Sequence, residues 1–318
     1  MNAPDSPKTA NSLGEFVQHA LEVRQQWLAQ HDSEADQDED VREDWKALKP
    51  FWKPWFRGHE DATWELKPKL YRGANRKIED LFACEEELRA EFKRRGSQLA
   101  EGLTLPAYQD DWGWYSLMQH YGAPTRILDW SDGALTALYF AVRNTRKRDK
   151  KFNVSDGGAL HACVWMLDPC RLNYRSFYPP DDWNGVALPD WPAAKEYLPE
   201  LFGGDELLRE YPLAIDPLHV SRRLSSQRSH FTVFGTKVDG LAELDGEKKD
   251  GGLRNPYLLE NITIPADSVP TIKSELELSG ISEATVFPDW EALSRELEAV
   301  WRSNFGAPPA NAPNIRPG

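Results

Sequence analysis

Apolar positions recur along the chain at two periods, and the switches between them mark out the elements. The run LGEFVQHALEVRQQWL spaces Leu13, Phe16, Val17, Ala20 and Val23 three and four apart, which predicts a leading helix. From Ile78, IEDLFACEEELRAEFKRRGSQL sets Leu81, Cys84, Leu88 and Phe92 on one face. Its pairs Glu85 with Arg89 and Glu91 with Arg95 run acid first, the favourable order on a helix. DDWGWYSLMQ also reads as helical and is stopped by Gly122 and Pro124. SDGALTALYFAVRN predicts a helix capped by Ser131 or Asp132, with Leu135, Leu138, Tyr139 and Val142 facing inward. PTIKSELELSGI and PDWEALSRELEAVW close the set, the second with Trp290, Leu293, Leu297, Val300 and Trp301 on one face.

Between these helices the period drops to two. FWKPWFRG is aromatic and β-prone at its end, and Pro54 argues for an edge position or the start of a strand. In TRILDW, Thr125, Ile127 and Asp129 alternate with Arg126, Leu128 and Trp130, so a charge falls on each face of a short strand. ALHACVWMLDP is a nearly continuous apolar run suited to a central strand, with His161 expected in the core. HFTVFG and LLENITIP read as two more strands. The mixture predicts an α+β fold, a mixed β-sheet core with flanking helices. An N-terminal helix and acidic linker take residues 1–47, one main domain takes 48–303 with an insertion near 171–218, and 304–318 form a flexible tail. There is no internal repeat.

Charge changes this picture at one place. Of the formal net charge of −13, the stretch DSEADQDEDVRED contributes −7, from eight acids and one Arg, and reads as a solvated linker. An apolar share of 40% with 13 Trp excludes a wholly disordered chain across the 318 residues. No apolar run has the length of a membrane span and the first residues lack the pattern of a signal peptide, so a cytoplasmic protein with no membrane partner is expected. Cys84, Cys163 and Cys170 are odd in number and lack metal-type spacing, and the seven His are scattered, so no metal site is proposed.

Phosphate-loop, GxSxG, HExxH and dinucleotide signatures are all missing. What remains is a set of polar residues stationed at the ends of apolar elements: Arg57, His120, Tyr121, Thr125, Arg126, Asp129 and Gln227. An Arg directly before Gly, as in Arg57-Gly58, lets backbone approach a ligand while the guanidinium forks onto a phosphate or carboxylate.

WFRG at 55–58, LKPKLYR at 66–72 and LMQHYGAPTRILDWSDGALTALYFA at 117–141 carry a resemblance to the FRG domain family, named for its Phe-Arg-Gly motif. Gln227 with HFTVFG, then ITIP and GISEATVFPD at 280–289, follow in the family's order, so the resemblance spans about residues 48 to 300. One departure is local. Where the family often has Gln-Gln-Gly-x-Phe, this chain reads Gln227-Arg228-Ser229-His230-Phe231, without the Gly. The family occurs often in bacterial proteins linked to defence against phage.

The resemblance implies an arrangement like that of ADP-ribosyltransferases, with NAD as the substrate. Three stations in chain order would be Arg57, then Tyr121 with Thr125 and Ser131, then Gln227, a Gln where such enzymes often have Glu. Arg57, with Gly58 and Arg126, would hold the pyrophosphate or ribose side, and Tyr121 would stack on nicotinamide. His120, in a last helical turn, suits anion binding, and Asp129 is the acid nearest to an oxocarbenium-stabilising role. A macromolecular acceptor of ADP-ribose, protein or nucleic acid, and an inhibitory or activating partner are implied in turn.

Plainer readings stand beside these. Arg126 and Asp129 can form a buried polar network, His120 can cap its own helix, Tyr121 can be core, and Thr125 and Ser131 can satisfy a turn and a cap. Two other function classes remain open. A nucleic-acid enzyme or binder would use the basic run VRNTRKRDKK at 142–151, and a non-enzymatic nucleotide or phage sensor would bind without turnover.

Overall fold

The computed structural model describes residues 8–37, 39–72, 76–99, 105–144, 161–177, 185–198, 209–216, 229–246 and 258–305. Seven strands form one sheet: β1 (Lys8–Thr9), β2 (Trp55–His59), β3 (Ile127–Ser131), β4 (Ala162–Leu167), β5 (Leu213–Ile215), β6 (Ser229–Val233) and β7 (Leu259–Ile264). Their order is β1-β7-β4-β2-β3-β6-β5, and only the β1–β7 pairing is parallel. The helices are α1 (Leu13–Ala35), α2 (Glu39–Leu48), α3 (Ile78–Gly96), α4 (Asp111–His120), α5 (Ala134–Val142) and α6 (Pro169–Ser176). The short α7 (Pro192–Lys195), α8 (Gly240–Gly246), α9 (Val269–Leu278), α10 (Glu283–Val286) and α11 (Trp290–Phe305) follow. This is the mixed sheet with flanking helices that the apolar pattern predicts. The basic run at 142–151 lies mostly outside the described residues.

Strand alternation sorts the core. Phe56, Val164, Met166, Ile262 and Ile264 share one side of the sheet with residues of α1, α5 and α9. Trp55, Leu128, Leu167 and Leu259 share the other with Leu81 and Phe82 of α3, Leu172 of α6 and Leu241 and Leu244 of α8. Gly58 sits where α5 crosses β2. A Cβ there would be driven into the carbonyl oxygen of Ala137 and would come within 2.6 Å of the amide nitrogen of Ala141. The Gly of the Phe-Arg-Gly motif therefore serves a close helix-to-strand approach, where the sequence suggested close approach to a ligand.

Several local expectations change. β2 lies inside the sheet between β4 and β3, so Pro54 marks its start and not an edge. The two-residue β1 and three-residue β5 are too short for any periodicity to show. His161 is exposed, and its carbonyl accepts from Ala62 N at 2.8 Å. The cap of α5 falls on Gly133, whose N–H donates to Ser131 Oγ at 3.1 Å. The apolar face of α11 stays open, with Trp290 85% and Leu297 60% exposed, while Ala292 on the other side is buried.

The acidic stretch is largely helical instead of a linker, and several of its charges are paired. Asp32 accepts from Trp45 Nε1 at 2.8 Å and Lys49 Nζ at 2.7 Å, and Glu34 pairs with Arg171 at 2.8 Å. Trp45 and Trp52 bury themselves beside His31, whose ring stacks on Trp45 with centroids 4.4 Å apart. His31 Nε2 lies 2.5 Å from Asp168 Oδ2, while Asp168 Oδ1 accepts from Trp52 Nε1 and from the first N–H groups of α6. One buried carboxylate thus ties α1, the segment that follows α2, and α6 together.

Two predictions follow from this packing. Gly58→Ala should cost about 3 kcal/mol or more by overpacking, read as a fall in thermal midpoint; a midpoint equal to the parent's would contradict the close approach. Burial opposes ionisation of Asp168, but the His31 hydrogen bond, the charges of His31 and Arg171 and the backbone donors outweigh it and hold its pKa below the ordinary value. Its stabilising contribution is therefore complete above the unfolded value of about 4 and disappears as pH falls through the lower folded value. Asp168→Asn should lose about 2 kcal/mol at neutral pH and flatten the acid limb of a denaturant titration series; an unchanged acid limb would refute the tie.

Candidate functional site

The site begins where the sheet ladder is interrupted. β4 and β2 pair over five residues and β3 and β6 over another five, but β2 and β3 meet only at Phe56 and Ser131. Continued in register, the ladder would set Gly58 opposite Asp129. Instead the strands part, and the gap opens a cavity of about 710 Å³ lined by residues of both.

Arg57 spans the gap. Its Nη1 donates to the carbonyl of Asp129 at 2.6 Å and its Nε to His59 Nε2 at 3.1 Å. Because a guanidinium only donates, His59 must accept at Nε2 and carry its ring proton on Nδ1. Burial and the charge of Arg57 push the His59 pKa down to about 3, which keeps the ring neutral and able to accept. Burial also lowers the pKa of Arg57; Asp129 counteracts this and Arg72 adds to it.

Asp129 faces the other side of the parting. Gln119 Nε2, from the last turn of α4, donates to Asp129 Oδ2 at 2.7 Å. Thr125 orients that amide: its hydroxyl accepts from Ile127 N at 3.3 Å and donates to Gln119 Oε1, which leaves the NH₂ group turned toward Asp129. Burial nevertheless raises the Asp129 pKa, against the lowering effects of Arg57 and Gln119. The result is a partly exposed carboxyl group beside a cation, with a raised pKa and one oxygen held in place.

Among the sequence candidates, Arg57, Gly58, His120, Asp129 and Ser131 line this cavity. Tyr121 does not: it caps α4, is 57% exposed and meets the His120 ring edge-on. Thr125 is fully buried and acts through Gln119. Arg126 lies elsewhere, 1% exposed, pairing with Glu85 at 2.5 Å and donating to the carbonyls of Tyr197 and Phe234. Alternation in β3 turns it away from Asp129 toward α3, and its guanidinium rests 4.7 Å over the Phe82 ring. The pyrophosphate role suggested for it gives way to the buried network. Gln227 lies outside the described residues.

Sequence reasoning missed Gln119, His59, Arg72 and Trp64, all lining the cavity. Gln119 and Arg72 fall inside blocks that carry the family resemblance, and His59 directly follows the Phe-Arg-Gly motif; that adjacency was the available signal. Among the described residues no group of three or more His, Cys, Asp or Glu is placed to hold a metal ion, and no helix is long and apolar enough to cross a membrane.

Fold and site together describe an α+β domain whose mixed sheet parts over a polar cleft. The family model of the FRG domain matches residues 53–150, so the chain contains an FRG domain. That span holds β2, α3, α4, β3 and α5, and with them Arg57, Gln119, His120 and Asp129, while the later strands stand outside it. No curated protein and no solved structure matches the chain.

The relay from Thr125 to Asp129 gives a prediction. Gln119→Leu removes a donor that favours the charged carboxylate, so the Asp129 pKa should rise further, and Thr125→Val should move it in the same direction by less. Carboxyl carbon shifts followed by NMR against pH would show this; a titration unchanged in Gln119→Leu would break the relay.

Proposed function

We propose that the cleft binds NAD and that the protein is an ADP-ribosyltransferase-like enzyme, acting as a toxin or anti-phage effector. The observation that carries this reading is the placement of Arg57 and Asp129 side by side where β2 and β3 part, over a cavity in the size range of small-molecule sites. The residues fit the substrate. Arg57 and His120 offer positive or donor groups for its phosphates, Ser131 and Ser229 offer hydroxyls, and the half-exposed Trp64 offers a stacking face in place of Tyr121.

Breaking the bond between ribose C1′ and nicotinamide leaves the electron pair on the nicotinamide nitrogen and positive charge on the ribose. An ionised Asp129 near that carbon stabilises the charge as it develops. A nucleophile, water or a macromolecular acceptor, then bonds to C1′ and gives up its proton. Asp129, with its raised pKa, is suited to receive it. Gln227 enters only as the late station that the family resemblance implies. In this reading the protein works in the cytoplasm on a protein or nucleic-acid acceptor, with a partner that restrains or triggers it.

The test is incubation with NAD labelled in its adenylate half, with and without cell extract, following nicotinamide release and transfer of label. Turnover should fall about 100-fold or more in Asp129→Asn and sharply in Arg57→Lys. Label on a macromolecule defines a transferase, and nicotinamide release alone a glycohydrolase. No release together with no thermal shift by NAD would sink the reading, and a thermal shift without release would favour a nucleotide sensor.

A further inference from the structure

Four Lys and Arg side chains line the cleft, and they divide into two kinds. Lys67 is neutralised twice, by Glu65 at 2.9 Å and Asp239 at 2.8 Å. Arg143 lies 3.5 Å from Glu60 and rests over the Phe140 ring at 4.9 Å. Arg57 and Arg72 differ. Arg57 donates only to neutral acceptors, His59 and the Asp129 carbonyl, and Arg72 Nε donates to the carbonyl of Lys67 at 2.9 Å. Among the described residues neither guanidinium is hydrogen-bonded to a carboxylate, and Nη2 of Arg57 and both Nη groups of Arg72 have no acceptor.

The second cation is held in place. A 3₁₀ turn, Lys69–Tyr71, precedes Arg72, and both Leu70 and Tyr71 are buried. Leu70 N donates to the carbonyl of Thr125 at 3.2 Å and Tyr71 Oη to that of Gly235 at 2.7 Å, so the turn is fixed to the segment leading into β3 and to the segment just after β6. The charge of Arg72 reaches Arg57, His59 and Asp129, lowering the pKa of each. Two like charges face this cavity with one carboxyl group, Asp129, whose own ionisation is opposed by burial, so a bound anion that joins the two guanidinium groups would relieve their repulsion.

We propose that Arg57 and Arg72 form one subsite for a doubly charged phosphoryl group, a diphosphate carried on a larger organic body. Each planar fork can take one anionic centre in bidentate fashion, and a single carboxylate would leave the other fork unused. The cavity of about 710 Å³ is much larger than the anion, and the aromatic face of Trp64 lines the same space to receive the organic part. The inference rests on the cleft being a ligand site, as in the proposed function, and needs no NAD chemistry.

Calorimetric titration of the whole chain with ADP, inorganic pyrophosphate and adenosine, at low and moderate salt, tests it. ADP and pyrophosphate should bind and adenosine should not. Arg72→Gln, at an exposed position, should keep the parent thermal midpoint and weaken ADP at least about tenfold, with a shallower salt dependence. Lys46→Gln on α2 removes the same charge outside the cleft and should bind ADP as the parent does. Failure of the parent to bind either anion, or equal ADP binding by Arg72→Gln, would overturn the subsite. ADP binding that needs Arg72 in a protein that releases no nicotinamide would uphold the subsite and sink the NAD reading. NAD turnover indifferent to Arg72→Gln would do the reverse.

Discussion

One strand pairing governs the site. β2 and β3 are each fully laddered to an outer neighbour but joined to one another only at Phe56 and Ser131. Beyond that pair the facing edges of both strands need other partners, since buried backbone groups left unpaired are expensive. Arg57 supplies one by donating to the carbonyl of Asp129, and that bond sets its guanidinium at the mouth of the gap. The three residues of the motif then divide the work: Phe56 is buried with α5 in the core, Arg57 bridges the parting, and Gly58 admits the helix backbone.

Two buried arginines show what separates structure from ligand binding here. Arg57 lies in β2 and Arg126 immediately precedes the adjacent β3, and burial opposes the charge of both. Around Arg126 the charge and hydrogen bond of Glu85, with Tyr115 and Tyr71 adding to them, outweigh that opposition and hold its pKa above the ordinary value, while two carbonyls take its remaining donors. Around Arg57 the hydrogen-bonding partners are neutral and the pKa falls below the ordinary value. The first charge is complete within the fold. The second has the Asp129 carboxyl nearby but hydrogen-bonds only to neutral acceptors among the described residues, which residue type and position could not reveal; the difference lies in the company each guanidinium keeps.

The same distinction explains what was legible in the sequence. Long apolar repeats announced α1, α3 and the central β4 because burial of one face dictates their spacing, and alternation in TRILDW correctly put Asp129 and Arg126 on opposite sides. The acidic stretch concealed helix α2 because that helix buries an isolated tryptophan, Trp45, and not a periodic apolar face, while Glu34, earlier in the same stretch, pairs with the distant Arg171. Glu85 was visible only as a partner for Arg89 on its own helix, whereas it pairs with Arg126. Gln119 and Arg72 carry no pattern of their own. Their roles come from a hydroxyl that turns an amide and a turn pinned by two buried neighbours, neither of which periodicity encodes.

The cleft is consequently a product of core packing more than of loops. α5, which can approach β2 only because residue 58 has no side chain, also carries Phe140 to the cavity wall and is followed at once by Arg143, which lies over Phe140 and Phe287. Any shift of this helix moves that wall relative to Arg57, because the strand and helix backbones are in contact and have no flexible side chain between them to absorb the change. On the opposite bank, α4 supplies Gln119 and His120, and Thr125 fixes the amide of Gln119 to the start of β3. Both banks are thus set by regular elements anchored in the core, which is the condition for holding a guanidinium and a carboxyl group at fixed separation before any ligand arrives.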